Sequence, residues 1–288
     1  MKKNVALVLG SGGARGVAHI GVINELLNQG YNITSISGTS MGALVGGIYA
    51  TGNLKVFEDW MCSLNKLDVF NLVDFTLSLN GLIKGNKILK EMKEMILDRD
   101  IETLPIPFVA VATDIINGKE ILLNEGSLYD AIRASISIPT VFLPFNYNGM
   151  KLVDGGILNP IPVNRVKRHK DDILIVVNLG SDKEYLDIDL KEDKVNTDKK
   201  HNKYISKIQD TINNIIPENK TDKIGYYNLL NETTSLMIQK VSELTLEKYK
   251  PDVLIEIPRD AFGTYEFYKS KEIIELGVRE TKEALKKL

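Results

Sequence analysis

Ser40, Asp154 and a run of glycines are the residues of this sequence whose types and spacing suit covalent chemistry. Ser40 sits in Gly38-Thr39-Ser40-Met41-Gly42, after an apolar run and before a helix-forming stretch of small residues. A serine on such a sharp strand-to-helix turn has a strained backbone and stands exposed at a helix N-terminus, where the dipole favours developing negative charge. Glycines two positions to either side let strand and helix approach closely. The plainer alternative is a Gly-rich turn with a capping serine. Upstream, Gly10-Ser11-Gly12-Gly13-Ala14-Arg15-Gly16 offers several unencumbered N–H groups pointing one way, an arrangement that binds an anion. It ends Arg15-Gly16-Val17 without the lysine of a phosphate-binding P-loop. Read as a dinucleotide fingerprint, Arg15 would occupy the third glycine position, and the following strand ends in Ser37 and Gly38 rather than an acid. The remaining use is an oxyanion hole, with the N–H groups of Gly12 and Gly13 facing the tetrahedral intermediate formed when Ser40 attacks an ester.

A serine nucleophile needs a proton acceptor, and the chain has three histidines. His19, one turn into the first helix, reads as a packed or capping residue. His169 lies in the basic Arg168-His169-Lys170 and His201 in a polar stretch. By position alone either completes a Ser, Asp, His order. Asp154, in Val153-Asp154-Gly155-Gly156, ends a short apolar strand, and the two glycines after it admit close backbone approach. Burial would raise its pKa towards that of a useful base. Against this stand a plain turn role for Asp154 and a rival carboxylate, Asp114, at the end of another strand.

The elements that must position these groups alternate between strand-like and helix-period runs: Val5 to Leu9, helix Val17 to Gln29, Ile33 to Ser37, helix Ala43 to Ala50. Both early strands read as nearly all apolar, as strands buried on two faces do, so the expected fold is a three-layer α/β/α sandwich with a mainly parallel central sheet. Further strands are expected at Phe108 to Thr113, Ile173 to Val177 and Val253 to Ile257. Asn117-Gly118 and Asn148-Gly149 read as tight hairpins, the second leading through Lys151 to Val153 into Asp154. Asn86 is expected to cap a helix with Ile88, Leu89, Met92, Met95 and Ile96 on one face, and a last helix is expected over Ser270 to Leu288. Residues 1–288 are read as one catalytic domain, with a charged insertion or mobile loop at 181–222.

Composition narrows the function classes. With 43% hydrophobic and 26% charged residues the chain is of globular type, and 36 Lys+Arg against 38 Asp+Glu leaves no basic field for nucleic acid. A single cysteine, Cys62, excludes an internal disulfide and a thiolate metal cluster and suits a cytoplasmic setting. No apolar run reaches the length of a membrane-spanning helix, and the N-terminal Val5 to Leu9 run is too short for a secretion signal. Leu72, Val73, Phe75, Leu77, Leu79 and Leu82 are read as a core connection, with peripheral contact to a bilayer as the alternative.

Taken together, the Gly-rich loop at Ser11 to Gly16, Gly-Thr-Ser-Met-Gly at 38 to 42 and Asp-Gly-Gly at 154 to 156 resemble, in order and spacing, the patatin-like phospholipase family and its small bacterial members. The likeness extends through Arg133-Ala134-Ser135-Ile136-Ser137-Ile138-Pro139 and Asn159-Pro160-Ile161-Pro162. It implies a serine acyl hydrolase of lipid esters, with Ser40 as nucleophile, Asp154 as base and an acyl-enzyme intermediate, and without histidine, metal or cofactor. Motif glycines 16, 38, 42, 155 and 156 carry over with them. Ser11 stands where the family has its first loop glycine, so it is expected outside the hole, with Gly12, Gly13 and the Met41 N–H as donors. Arg15 matches the family's basic residue, either binding a substrate phosphate or fixing the loop. The competing readings are a Ser-His-Asp esterase using His169 or His201, and a non-catalytic module that holds an anionic ligand on the Gly-rich loop.

Overall fold

The computed structural model describes residues 3–72, 75–78, 81–83, 85–185 and 226–288. In chain order the elements are β1 (Asn4–Leu9), α1 (Ala18–Asn28), β2 (Asn32–Thr39), α2 (Met41–Ala50), α3 (Leu54–Ser63), α4 (Lys66–Leu72), β3 (Phe75–Ser78), β4 (Gly81–Ile83) and α5 (Asn86–Met95). There follow β5 (Phe108–Asp114), β6 (Lys119–Leu123), α6 (Leu128–Ser135), β7 (Phe145–Tyr147), β8 (Met150–Asp154), β9 (Ile173–Ser181), α7 (Tyr226–Lys248), β10 (Val253–Pro258) and α8 (Ser270–Leu285). Two compact units divide the chain: Met1–Glu184 with Ile238–Leu288, and Tyr185–Met237. The candidate catalytic residues all belong to the first.

This unit is an α/β fold around a central sheet of strand order β10-β9-β1-β2-β5-β8-β7, with β6 also paired to β5. The run from β10 to β5 is parallel, and β6, β7 and β8 join antiparallel. Both faces of β1 are buried: Leu9 meets α2 at Gly46, while Ala6 and Val8 pack with Ile161, Val163, Leu174 and Val176 on the other face. That two-sided burial is why β1 has no polar alternation. β2 departs from the apolar expectation. Its Ser35, Ser37 and Thr39 share one face, and their hydroxyls donate to the carbonyls of Lys167, Pro162 and Asn159. The segment crossing that face is thereby bonded to the strand rather than merely packed on it.

Helices α1 and α8 cross closely, because a Cβ at Gly21 would lie 2.0 Å from Ile274 O and one at Gly277 2.2 Å from Ala18 O. Both hairpins form: β5 pairs β6 from Ala110–Leu123 to Asp114–Lys119, and β7 meets β8 at Tyr147–Met150 through Asn148 and Gly149, both with positive φ. The first residue of α5 is Asn86; the capping position is Gly85, whose φ of 75° suits glycine. Met92 is buried as expected of core filler, but Met95 is exposed. Residue 181, expected to open the insertion, instead ends β9, its hydroxyl bonded to Glu256. Residues 186–225, most of that expected insertion and His201 with it, lie outside the described residues. Leu72 is buried. Val73 and Leu79 of the same apolar stretch lie outside the described residues, and Phe75, Leu77 and Leu82 are described by backbone alone.

The arrangement around β5 positions the site. β2 pairs with one edge of β5 as far as Thr39 opposite Val111, and β8 pairs from Ala112, opposite Asp154, to Asp114. Since β6 holds the other edge over Ala110–Asp114, β2 and β8 must share an edge and end head to head on it. Thr39 and Asp154 therefore face consecutive residues of one strand.

Candidate active site

β2 ends at Thr39 and α2 begins at Met41, so the turn between them is made by Ser40 alone, with φ 58° and ψ −126°. A non-glycine residue held there costs on the order of 1–3 kcal/mol and persists only where its surroundings enforce it. The turn is tight enough that a Cβ at Gly38 would lie 2.5 Å from the Gly42 backbone, and one at Gly42 2.1 Å from Leu9 O. The Ser40 N–H donates to Ser135 Oγ at 2.9 Å. Contrary to the expectation of an exposed serine, Ser40 is only 2% exposed.

The Asp154 carboxyl receives a hydrogen bond from the Gly156 N–H, 2.7 Å from Oδ1, and lies near enough to the Ser40 hydroxyl for that group to lower its pKa. Burial dominates its electrostatics: with 5% of its surface exposed, its pKa is pushed up to about 6, with Ser40 and the Gly156 N–H only partly opposing the rise. Its own N–H donates to Ser137 O, and Gly155 runs against β5 so closely that a Cβ there would lie 2.3 Å from Val111 O.

The loop after β1 lies where the sheet's connections diverge, between β2 and β9, which is the usual ligand position at the carboxyl edge of an open α/β sheet. Its neighbours anchor it. The Ser11 N–H donates to Pro160 O and the Ala14 N–H to Thr264 O. Ser11 thus has no N–H left to offer, and it avoids the positive φ that serine would resist. Between these anchors, the N–H groups of Gly12 and Gly13 have no protein acceptor among the described residues, nor does that of Met41 at the start of α2. Gly13 has φ 56°, and Gly16 packs on the elbow, where a Cβ would lie 2.2 Å from Met41 Cβ.

Arg15 donates through Nη1 to Arg259 O at 2.6 Å and Phe262 O at 3.2 Å. Burial lowers its pKa, with Arg259 adding to the effect. His19 is fully buried and its Nε2 lies 2.8 Å from Gly10 O. A carbonyl only accepts, so Nε2 carries the proton; burial holds the ring neutral, with its pKa lowered to about 4. It is a packed residue, as expected, and it holds the start of the loop.

The rival groups are elsewhere engaged. Asp114 accepts from Ile116 N and from Asn117 Nδ2, and the Asn117 bond leads in lowering its pKa, which makes it the turn carboxylate of the β5–β6 hairpin. His169 precedes β9 and bonds Asp172, which in turn bonds Thr34 near the start of β2. Roughly 15–20 Å of strand separates that end of the sheet from Ser40. A triad through His169 is therefore not formed.

The patatin-like phospholipase family model matches residues 7–166, a span that holds the Gly-rich loop, the elbow and the Asp-Gly-Gly turn. The chain belongs to the patatin-like phospholipase family. Its reading as a lipid hydrolase rests on that membership. Among curated relatives, an uncharacterized NTE family protein of Mycobacterium bovis is 32% identical over 325 aligned positions, covering 95% of this chain and 89% of that protein. Lysophospholipase NTE1 of Debaryomyces hansenii is 28% identical over 286 positions, 96% of this chain and 17% of that one. Among solved structures, VipD from Legionella pneumophila aligns with a TM-score of 0.49 at 15% identity, over 99% of this chain and 67% of that chain. Among the described residues, no helix is long and apolar enough to cross a membrane, and no cluster of three or more His, Cys, Asp or Glu is arranged to hold a metal.

Sequence reading gave no role to Ser135, though it lies within the stretch that resembles the family. The roles of its hydroxyl and of the β2 hydroxyls depend on contacts with distant segments.

Proposed function

We propose that this patatin-like protein is a serine acyl hydrolase of lipid carboxylic esters, of the lysophospholipase or phospholipase A type, working through Ser40 and Asp154 alone. The observation that carries the reading is the pairing of a strained serine at a helix N-terminus with a buried carboxylate whose pKa is about 6. A carboxylate with the ordinary pKa near 4 is a weak base at neutral pH; one near 6 is still ionised there and accepts a proton more readily. Asp154 takes the Ser40 proton as Oγ attacks the ester carbonyl carbon. The N–H groups of Gly12, Gly13 and Met41 face the oxyanion, and α2 adds its dipole. As the tetrahedral intermediate collapses, the leaving alcohol takes the proton back from Asp154. Water then attacks the acyl-enzyme, with Asp154 again as base, and the fatty acid leaves as Ser40 is regenerated.

Arg15, on this reading, fixes the loop, since both carbonyls it holds belong to the segment beside it. A module that only binds an anion gives no reason for a strained serine beside a buried base. The phospholipid class follows from the family and from the lysophospholipase name of a relative. The test is turnover of a short-chain nitrophenyl ester and of a lysophospholipid, with fluorophosphonate labelling, in the parent, Ser40→Ala and Asp154→Asn. Loss of labelling in Ser40→Ala and of turnover in both is expected. Retained turnover in folded Ser40→Ala would overturn the mechanism.

A further inference from the structure

We infer that Ser135 is a positioning residue, whose hydroxyl bridges the last rung of the β2–β5 ladder and so sets the Ser40 elbow. The inference rests on the dyad reading above. The Ile36 N–H donates to Pro107 O at 2.9 Å, and the register runs from Ile36–Phe108 to Thr39–Val111. Parallel ladders repeat every two residues. The rungs that follow therefore run from Gly38 N–H to Val109 C=O and from Ser40 N–H to Val111 C=O. At the last of these the Ser135 hydroxyl stands between the two groups: Ser40 N donates to Ser135 Oγ at 2.9 Å, and Ser135 Oγ donates to Val111 O at 2.6 Å. A hydroxyl can do both at once, so neither backbone group is left unpaired.

The bridge spaces Ser40 from β5 by two hydrogen bonds in series instead of one. That spacing lets the chain leave the sheet at Ser40 while the next position of β5, Ala112, is taken by Asp154. Ser135 is the last residue of α6, fully buried, and α6 starts at a side-chain cap in which Ser127 Oγ accepts from Asp130 N. The hydroxyl is thus presented from a rigid element. Without it, a buried N–H and a buried carbonyl lose their partner. The cheapest repair is to close the rung directly, which draws Ser40 towards β5 and shifts Oγ relative to Asp154 and the Gly12–Gly13 donors. A displacement approaching 1 Å at a reacting atom is worth on the order of 10²-fold in rate.

The experiment compares Ser135→Ala, Ser135→Thr and Ser135→Val with the parent, reading kcat, KM and the rate of fluorophosphonate labelling on folded protein. Ser135→Ala is expected to lower kcat and the labelling rate in parallel, by about 10- to 100-fold, with KM nearly unchanged. A residue that only stabilises the fold would lower the folded fraction and leave those rates per folded molecule intact. Thr and Val are nearly equal in volume and differ at the hydroxyl, so Thr should recover most of the rate and Val should not. Rates of Ser135→Ala within twofold of the parent, or equal rates for Thr and Val where alanine fails to fold, would overturn the inference. Ser40→Ala is run alongside: activity surviving there sinks the dyad, whereas a dead Ser40→Ala beside an unimpaired Ser135→Ala sinks the positioning role alone.

Discussion

Ser40 lies beside Asp154, because the strands that carry them end on consecutive residues of β5, and burial holds that carboxyl group at a pKa of about 6. On the proposed mechanism Asp154 acts as a base only when ionised. The expected profile of kcat/KM is therefore level above pH 7 and falls below about pH 6, tenfold per unit at its steepest. A limb near pH 4 would show that Asp154 titrates as an ordinary carboxylate and that the burial argument is wrong.

The same shift bears on stability with the opposite preference. A carboxyl whose folded pKa lies above its unfolded value of 3.8 binds its proton more tightly in the folded state, so it favours folding below the unfolded pKa. That contribution is lost as pH rises to about 6 and stays lost above it. Asp154→Asn, inactive on the proposed mechanism, should then be more stable than the parent at pH 7.5, by up to about 3 kcal/mol less whatever the weaker amide bonds give up. The gap should narrow towards pH 4. Thermal denaturation at both pH values checks this, and a variant no more stable at pH 7.5 would contradict it.

His19 titrates in the contrary sense. Its pKa is lowered from 6.5 to about 4, so its contribution is present above pH 6.5 and lost as pH falls towards 4. Because the two slopes oppose each other, the parent's stability should vary little between pH 4 and 6, whereas Asp154→Asn should lose stability steeply on acidification. An Asp154→Asn variant whose stability stays level between pH 6.5 and pH 4 would count against the buried neutral imidazole.

Ser40→Gly removes the Cβ that makes φ 58° costly. Despite losing the hydroxyl beside Asp154, it should unfold at a temperature equal to or above that of the parent while failing to label with fluorophosphonate, separating strain from catalysis. Clear destabilisation would mean that the Ser40 hydroxyl outweighs the backbone strain.

Arg15 discriminates two uses of its charge. Since its Nη1 serves two carbonyls, Arg15→Lys and Arg15→Gln should lower Tm and kcat together, with KM for a lysophospholipid and for an uncharged ester changed alike. A KM rise confined to the phosphate-bearing substrate would instead place the guanidinium on substrate.

Short-range features were legible in the residues because a few neighbours settle them. The Gly38–Gly42 turn, the Asn148-Gly149 hairpin and the apolar Val5 to Leu9 run of β1 follow from backbone freedom and two-sided burial acting within a handful of positions. Several others were misjudged for the converse reason. Ser35, Ser37 and Thr39 make sense inside a sheet only once the carbonyls of Lys167, Pro162 and Asn159 are known to cross above them. Asp114 and Asp154 both end short strands and both accept from a nearby backbone N–H, so local pattern barely separates them.

The chain's own order of motifs was enough to single out a candidate nucleophile, a candidate anion-binding loop and a candidate acid. Their meeting belongs to the folded sheet. β2 and β8, far apart in sequence and running in opposite directions, end on adjacent residues of one edge of β5, and that junction sets Ser40 beside Asp154 and buries the acid, which raises its pKa to about 6. Pairing of strands across long stretches of chain depends on edge availability and register, which no window of neighbouring residues encodes.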